Sequence, residues 1–308
     1  MKGYHIYYLF DTEENQYEYL DFLCQLCSIL FWKKNFGTIE LICNKDFLEK
    51  VERWGLDKYY DEINTELFEN LPYKEKLETF WSFPKIYAIN QISNTESSFC
   101  VLDTDLWIYD EIEFNKEHQV VGYHKEEITE SDKNPYLNPE KYLNINYDWN
   151  VKPINCAFLY FNSVELIKEW YSKSLEVVST YNSEKSDNSA DTVFIEQRLL
   201  PTICKHLGMK HSTLIENTYL PGAEKDGSEW VPSIGFTNDN LERFNNIKHV
   251  WGLKKMYSDE VIKNMVMSVC KLSLDHYFNG WEMYNLELSD YLNRNINTEF
   301  IESLKIEN

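Results

Sequence analysis

The sequence predicts an α/β fold: a mainly parallel central sheet flanked by helices, with a helical tail at the C-terminus. Three observations carry this. The first 63 residues alternate between short apolar runs and longer segments of helical periodicity. Phe99-Cys100-Val101-Leu102 is apolar on both faces, as a central strand of a largely parallel sheet must be. A second such run, residues 154–162, is followed at once by another segment of helical periodicity. Alternation of this kind is the signature of βαβ units.

In order along the chain, residues 4–10 form the first strand. Residues 15–35, with Tyr19, Phe22, Leu23, Leu26, Leu30 and Phe31 on one stripe, form an amphipathic helix that Gly37 stops. Ile39–Cys43 is the second strand, Lys45–Trp54 a short helix, and Tyr59–Ile63 a third strand or turn. A helical segment around 74–90 leads into the strand at 99–102. The polar stretch 125–150, with Asn134-Pro135 and Asn138-Pro139, reads as a long loop or lid. After the strand at 154–162 come a helix at 164–180, a polar linker at 181–190, and a helix from Asp191 to about 207. The tail from Ser258 opens with Asp259-Glu260, a favourable start for a helix, and carries Val261, Ile262, Met265, Val266, Val269 and Cys270 on one face. One large domain over 1–256, with a helical extension over 257–308 packed on it, is the expected organisation.

Composition narrows the function. Thirty basic against fifty-one acidic side chains leave a net charge of −21. That charge repels nucleic acid and anionic lipid surfaces. It also opposes a nucleotide diphosphate, so a site for one needs a metal and a well-placed Lys or Arg. An apolar fraction of 43%, with 22 Tyr, 17 Phe and 9 Trp, excludes a disordered chain. Seven cysteines, mostly inside apolar segments, read as core thiols in a reducing compartment, and Cys24-x-x-Cys27 has no second pair to complete a zinc site. Residues 4–10 are too short and too polar for a signal segment, and no run approaches a membrane span, so a cytoplasmic location is expected.

The most informative motif is Asp103-Thr104-Asp105, directly after the apolar strand. Two carboxylates two residues apart on extended backbone lie on one side, with α-carbons roughly 6.5–7 Å apart. Ligands of open α/β sheets sit beyond the carboxyl ends of such strands. A hard cation, Mg²⁺ or Mn²⁺, held by one or two carboxylates completes its shell with water and substrate phosphates. The plain alternative is an acidic, solvated loop start.

Four segments in order, over roughly residues 80–256, resemble the glycogenin-like and bacterial galactosyltransferase-like sugar transferases of the GT-A fold. Asp103 and Asp105 match the strand-ending Asp-x-Asp. Ile154-Asn155-Cys156-Ala157-Phe158 is similar to Phe-Asn-Ala-Gly-Val, with the Gly replaced. Glu196-Gln197-Arg198-Leu199-Leu200-Pro201 is similar to Asp-Gln-x-Leu-Leu-Asn. His249-Val250-Trp251-Gly252-Leu253-Lys254-Lys255 carries His-x-x-Gly-x-x-Lys. The resemblance implies a metal, Mn²⁺ or Mg²⁺, on Asp103, Asp105 and His249. It implies a nucleotide sugar donor, a UDP-sugar, whose diphosphate meets Gly252 and Lys255, and a glycan or other hydroxyl acceptor. An imidazole beside two carboxylates suits Mn²⁺, a glycine lets backbone approach phosphate, and a lysine supplies charge that an acidic chain lacks.

Lys85 stands where the family often has a lysine reaching the donor, although many surface lysines look the same. Asn155, Glu196 and Gln197 would line the sugar side. The transfer implied is of a hexose with retention; an inverting course needs a carboxylate base, for which Glu196 and Asp191 are the candidates, and Asp191 also reads as a helix N-cap. His124, Glu126 and Glu127 read as a solvated strand end or, alternatively, as acceptor or metal ligands. Tyr136, Tyr142, Tyr147 and Trp149 are candidates for stacking on sugar or for core packing. Two other readings stay open: nucleotidyl transfer, against which residues 10–16 offer no glycine-rich phosphate loop, and a degenerate member that binds glycan without turnover.

Overall fold

The computed structural model describes residues 1–10, 18–53, 55–108, 110–128, 142–143, 145–181, 188–219 and 247–249. They form a mixed α/β fold around a seven-stranded sheet. Its strands are β1 (Gly3–Tyr7), β2 (Ile39–Cys43), β3 (Glu62–Asn64), β4 (Phe99–Leu102), β6 (Val120–Glu126), β7 (Phe158–Phe161) and β8 (His211–Tyr219). A separate pair joins β5 (Leu106–Ile108) to β9 (Ile247–His249). The order in the large sheet is β3-β2-β1-β4-β7-β6-β8. All neighbours pair in parallel except β7, which runs against both β4 and β6.

The helices are α1 (Glu18–Asn35), α2 (Lys45–Arg53), α3 (Phe83–Ile92), α4 (Val164–Thr180), α5 (Asn188–Val193) and α6 (Leu199–His206). Alternation along β4 decides which of them covers which face. Cys100 and Leu102 pack with Leu26, Leu30 and Phe31 of α1. Phe99 and Val101 pack with Phe83 and Ile86 of α3, Trp170 of α4 and Leu200 of α6. The result is a sheet buried on both sides, which is why β4 has no polar residue.

Local chemistry sets the element ends. Gly37, at φ +120°, takes the backbone where a side chain is strained, and closes α1 with its N–H on the Trp32 carbonyl. Ser163 caps α4 by accepting from the Leu166 N–H at 3.2 Å. The stripe Leu166, Ile167, Trp170, Ser174, Val177 and Val178 is the buried face of that helix. Gly122 has no Cβ because one would lie 1.9 Å from Ile154 Cγ2.

Several boundaries differ from the sequence expectation. The helix expected over 74–90 starts only at Phe83: residues 74–76 make a single turn, and Pro84 suits the first turn of α3. The strand expected over 154–162 pairs in the sheet only from Phe158, with Ile154 making an isolated bridge to Lys125. The helix expected from Asp191 begins at Asn188 and is broken by a π-helical turn, Phe194–Arg198. Pro201 supplies a reason: it has no N–H to offer the carbonyl of Gln197, which instead accepts from Ile154 N at 2.9 Å. The tail from 257, Gly252 and Lys255 lie outside the described residues.

Candidate metal and donor site

Parity along β4 carries straight into the site. Phe99 and Val101 face α3, so Asp103, two residues further, turns the same way. There Lys85, in the first turn of α3, donates to Asp103 Oδ1 at 2.7 Å, to the Cys156 carbonyl at 2.7 Å and to Glu196 Oε1 at 3.0 Å. An ammonium has three hydrogens, and these three acceptors use all of them. Burial works to lower the pKa of Lys85, but the carboxylates of Asp103 and Glu196 outweigh it and hold the value above the ordinary lysine range. Burial raises the carboxyl of Glu196 above the usual range, against the opposing pull of Lys85.

The chain turns immediately after β4, with Leu106 N donating to the Asp103 carbonyl at 3.1 Å, and β5 leaves antiparallel to β9. In that pairing Leu106 lies opposite His249. A residue 144 positions away is thereby set beside Asp105: His249 Nε2 stands 3.3 Å from Asp105 Oδ1 and 4.0 Å from Asp103 Oδ2. Asp105 and His249 are buried, and Asp103 is the more open carboxylate. One ligand atom from each of the three lies within 4.8 Å of the others. A metal–oxygen distance of about 2.1 Å puts neighbouring donors about 3 Å and opposite donors about 4 Å apart, so two carboxylates and an imidazole with this spread suit one Mn²⁺ or Mg²⁺. The ring of Tyr123 stands edge-on to His249, with centroids 5.5 Å apart at 89°.

The other expected residues fall in different places. Asn155 is in the segment before β7; its side chain accepts from Ala157 N at 3.0 Å and donates to Glu126 Oε1 at 3.3 Å. Glu196 sits in the π-helical turn against Lys85, and Gln197 is next to it. Asp191 is fully buried and accepts hydroxyl hydrogen bonds from Tyr142 and Tyr181, so in this structure its carboxylate ties α5 to the residues after α4 and to the loop at 142.

His124 and Glu126 are a correction. They were expected at a solvated strand end, yet both are buried, because β6 is an inner strand between β7 and β8. Burial pushes the His124 imidazole down to about 3. Glu126 is also the partner of Asn155. The sequence signal is Val120-Val121-Gly122-Tyr123, a run apolar on both faces that marks an inner strand and buries its polar continuation as well. Of the loop aromatics, Tyr142 stacks on Phe194 at 4.1 Å, Tyr147 packs against Trp149 and His206, and Trp149 lies under the Arg198 guanidinium at 5.8 Å. Cys24, Cys27, Cys43, Cys100, Cys156 and Cys204 are buried, as expected of core thiols. No helix among the described residues is long and apolar enough to cross a membrane.

No protein-family model matches this chain, and no curated protein matches it. Among solved structures, it is similar to the glycosyltransferase GlyE of Streptococcus pneumoniae TIGR4, at 12% identity and a TM-score of 0.42. The apo form of the same glycosyltransferase gives 12% identity and a TM-score of 0.45. In both comparisons 90% of this chain and 63% of the other are covered, so the chain spans less than two thirds of the length of those structures.

Proposed function

We infer that this protein is a metal-dependent glycosyltransferase of the GT-A type, moving a hexose, with retention, from a UDP-sugar to a glycan or other hydroxyl acceptor. One observation carries the reading: Asp103, Asp105 and His249 converge at the carboxyl end of β4, beside a lysine buried between two carboxylates. Asp103, Asp105 and His249 would hold Mn²⁺ or Mg²⁺, which when bound supplies positive charge to a leaving diphosphate.

The residues around them have separable tasks. Lys85 grips Oδ1 of Asp103, which leaves Oδ2 turned toward His249. It therefore orients a ligand carboxylate as well as adding charge where an acidic protein most needs it. Glu196 and Gln197 on the π-helical turn, and Asn155 braced by Glu126, would supply polar groups suited to hydroxyls of the sugar. Gly252 and Lys255, which follow His249 at the spacing of the family motif His-x-x-Gly-x-x-Lys, would meet the diphosphate. Asp191, held by two tyrosines, is assigned the bracing of this wall.

The test is donor turnover. Incubated with UDP-glucose, UDP-galactose, UDP-N-acetylglucosamine and GDP-mannose in Mn²⁺, the protein should release nucleoside diphosphate from one of them, and Asp105→Ala should not. Nucleotide binding without release from any donor would leave a binding module in place of an enzyme.

A further inference from the structure

His249 reaches the cation site on a strand of only three residues, β9, paired with β5. That pairing sets the main chain of His249 opposite Leu106, but it leaves the side-chain torsions of the imidazole undecided. A metal ligand on so short an element needs a second hold to stay turned toward Asp105.

Tyr123 supplies one. Val121 and Tyr123 of β6 turn to the α1 face of the sheet, where they share one buried cluster with Trp107, Ile108 and Ile247 of the β5–β9 pair. The Tyr123 ring stands at 89° to the His249 imidazole with centroids 5.5 Å apart, an arrangement in which aromatic rings attract. Tyr123 is 2% exposed, and a hydroxyl buried so deeply costs free energy unless it is hydrogen bonded. Burial raises the pKa of this phenol, and a hydrogen bond from the main chain of His249 works against the rise. The hydroxyl thus meets β9 at the residue that would ligate the metal. Phenylalanine would fill much the same space, so packing alone does not call for the oxygen. The main chain of Tyr123 is fixed in turn: its N–H donates to the Asn155 carbonyl at 3.0 Å, and the Asn155 N–H donates to the His124 carbonyl at 2.9 Å. Because β6 lies between β7 and β8, Tyr123 ties a three-residue strand to an inner strand of the large sheet.

We propose that Tyr123 is a positioning residue of the cation site, holding β9 through its hydroxyl and the His249 imidazole through its ring so that Nε2 stays turned toward Asp105; this rests on the metal-dependent reading above. The test reads Mn²⁺ binding itself. Free Mn²⁺ is followed by electron paramagnetic resonance in titrations of wild type, Tyr123→Phe, His249→Ala and Tyr123→Phe/His249→Ala, each with and without UDP. Tyr123→Phe keeps the ring and should bind Mn²⁺ about tenfold more weakly than wild type, with an unchanged circular dichroism spectrum. In the His249→Ala background the same substitution should cause no further loss, because its effect passes through the imidazole. An equal loss in both backgrounds marks a general structural role, and wild-type affinity in Tyr123→Phe marks none; either overturns the positioning role and leaves the metal reading standing. Wild-type protein that binds no Mn²⁺ under either condition removes the cation site, and the role of Tyr123 with it.

Discussion

Replacing Lys85 by methionine keeps the length of the side chain but takes the ammonium from between two carboxylates. The two arms are unequal. Asp103 is 37% exposed at its side chain, so water screens that pair and its loss costs at most about 1 kcal/mol. Glu196 is 6% exposed, and stripping the partner from a buried charge costs about 3–5 kcal/mol. The lower end applies because Glu196 can take up a proton: burial has already raised its pKa, and without Lys85 it rises further.

The sign follows from linkage. A carboxyl whose folded-state pKa lies above its unfolded value of about 4.5 gives stability that is complete below that value and lost as pH rises through the folded one. Lys85→Met should therefore cost about 3 kcal/mol at pH 8, with the gap to wild type narrowing toward pH 5. For a chain of this size that is a drop in Tm of about 4–6 °C. Thermal and urea unfolding followed by circular dichroism at both pH values measure it, and Glu196→Gln added to Lys85→Met should recover most of the loss at pH 8. A Lys85→Met protein within 0.5 kcal/mol of wild type at pH 8, or a gap that widens as pH falls, would refute the buried triad.

Three further outcomes are expected. Gly122→Ala forces a Cβ to 1.9 Å from Ile154 Cγ2 and should destabilise by about 1–3 kcal/mol in urea, with partial recovery in Gly122→Ala/Ile154→Ala. Tyr181→Phe removes one of the two hydroxyls on Asp191 and should cost about 1–3 kcal/mol of stability while Mn²⁺-dependent UDP binding persists; loss of that binding in a folded variant would place Asp191 in the chemistry. His5 is buried between Tyr60 and Ser28, and burial pushes its pKa down to about 3, so the unfolded chain takes up a proton that the folded protein refuses as pH falls below 6.5. Its share of stability, about 2 kcal/mol between pH 7 and pH 5, should disappear from the pH profile of His5→Gln, and an unchanged profile would count against a neutral, buried His5.

How much was legible depends on whether the information was local. β2, β4 and α4 begin and end where periodicity, Gly37 and Ser163 place them, because each rests on its own residues. The late start of α3 and the π-helical turn came from tertiary partners: Thr192 holds Ser82, and Ile154 takes the Gln197 carbonyl that Pro201 cannot. Strand β9 had no readable pattern in three residues, and only its pairing with β5 brings His249 to Asp105. The Asp pair was visible as a motif, whereas the Lys85–Glu196 contact joins residues 111 apart and needs the packing of α3 against the π-helical turn. His124 and Glu126 were misplaced because polar residues suggest solvent, while an inner strand buries whatever it carries.

The central claim is that Asp103, Asp105 and His249 hold one divalent cation that in turn binds a nucleotide diphosphate. Isothermal titration with UDP and GDP, with and without Mn²⁺, on the wild type and on Asp103→Ala, Asp105→Ala and His249→Ala tests it directly. The expected result is binding of one nucleotide only in Mn²⁺, lost in Asp105→Ala and weakened at least tenfold in the other two. Binding that ignores Mn²⁺, or that survives Asp105→Ala at wild-type affinity, would contradict it.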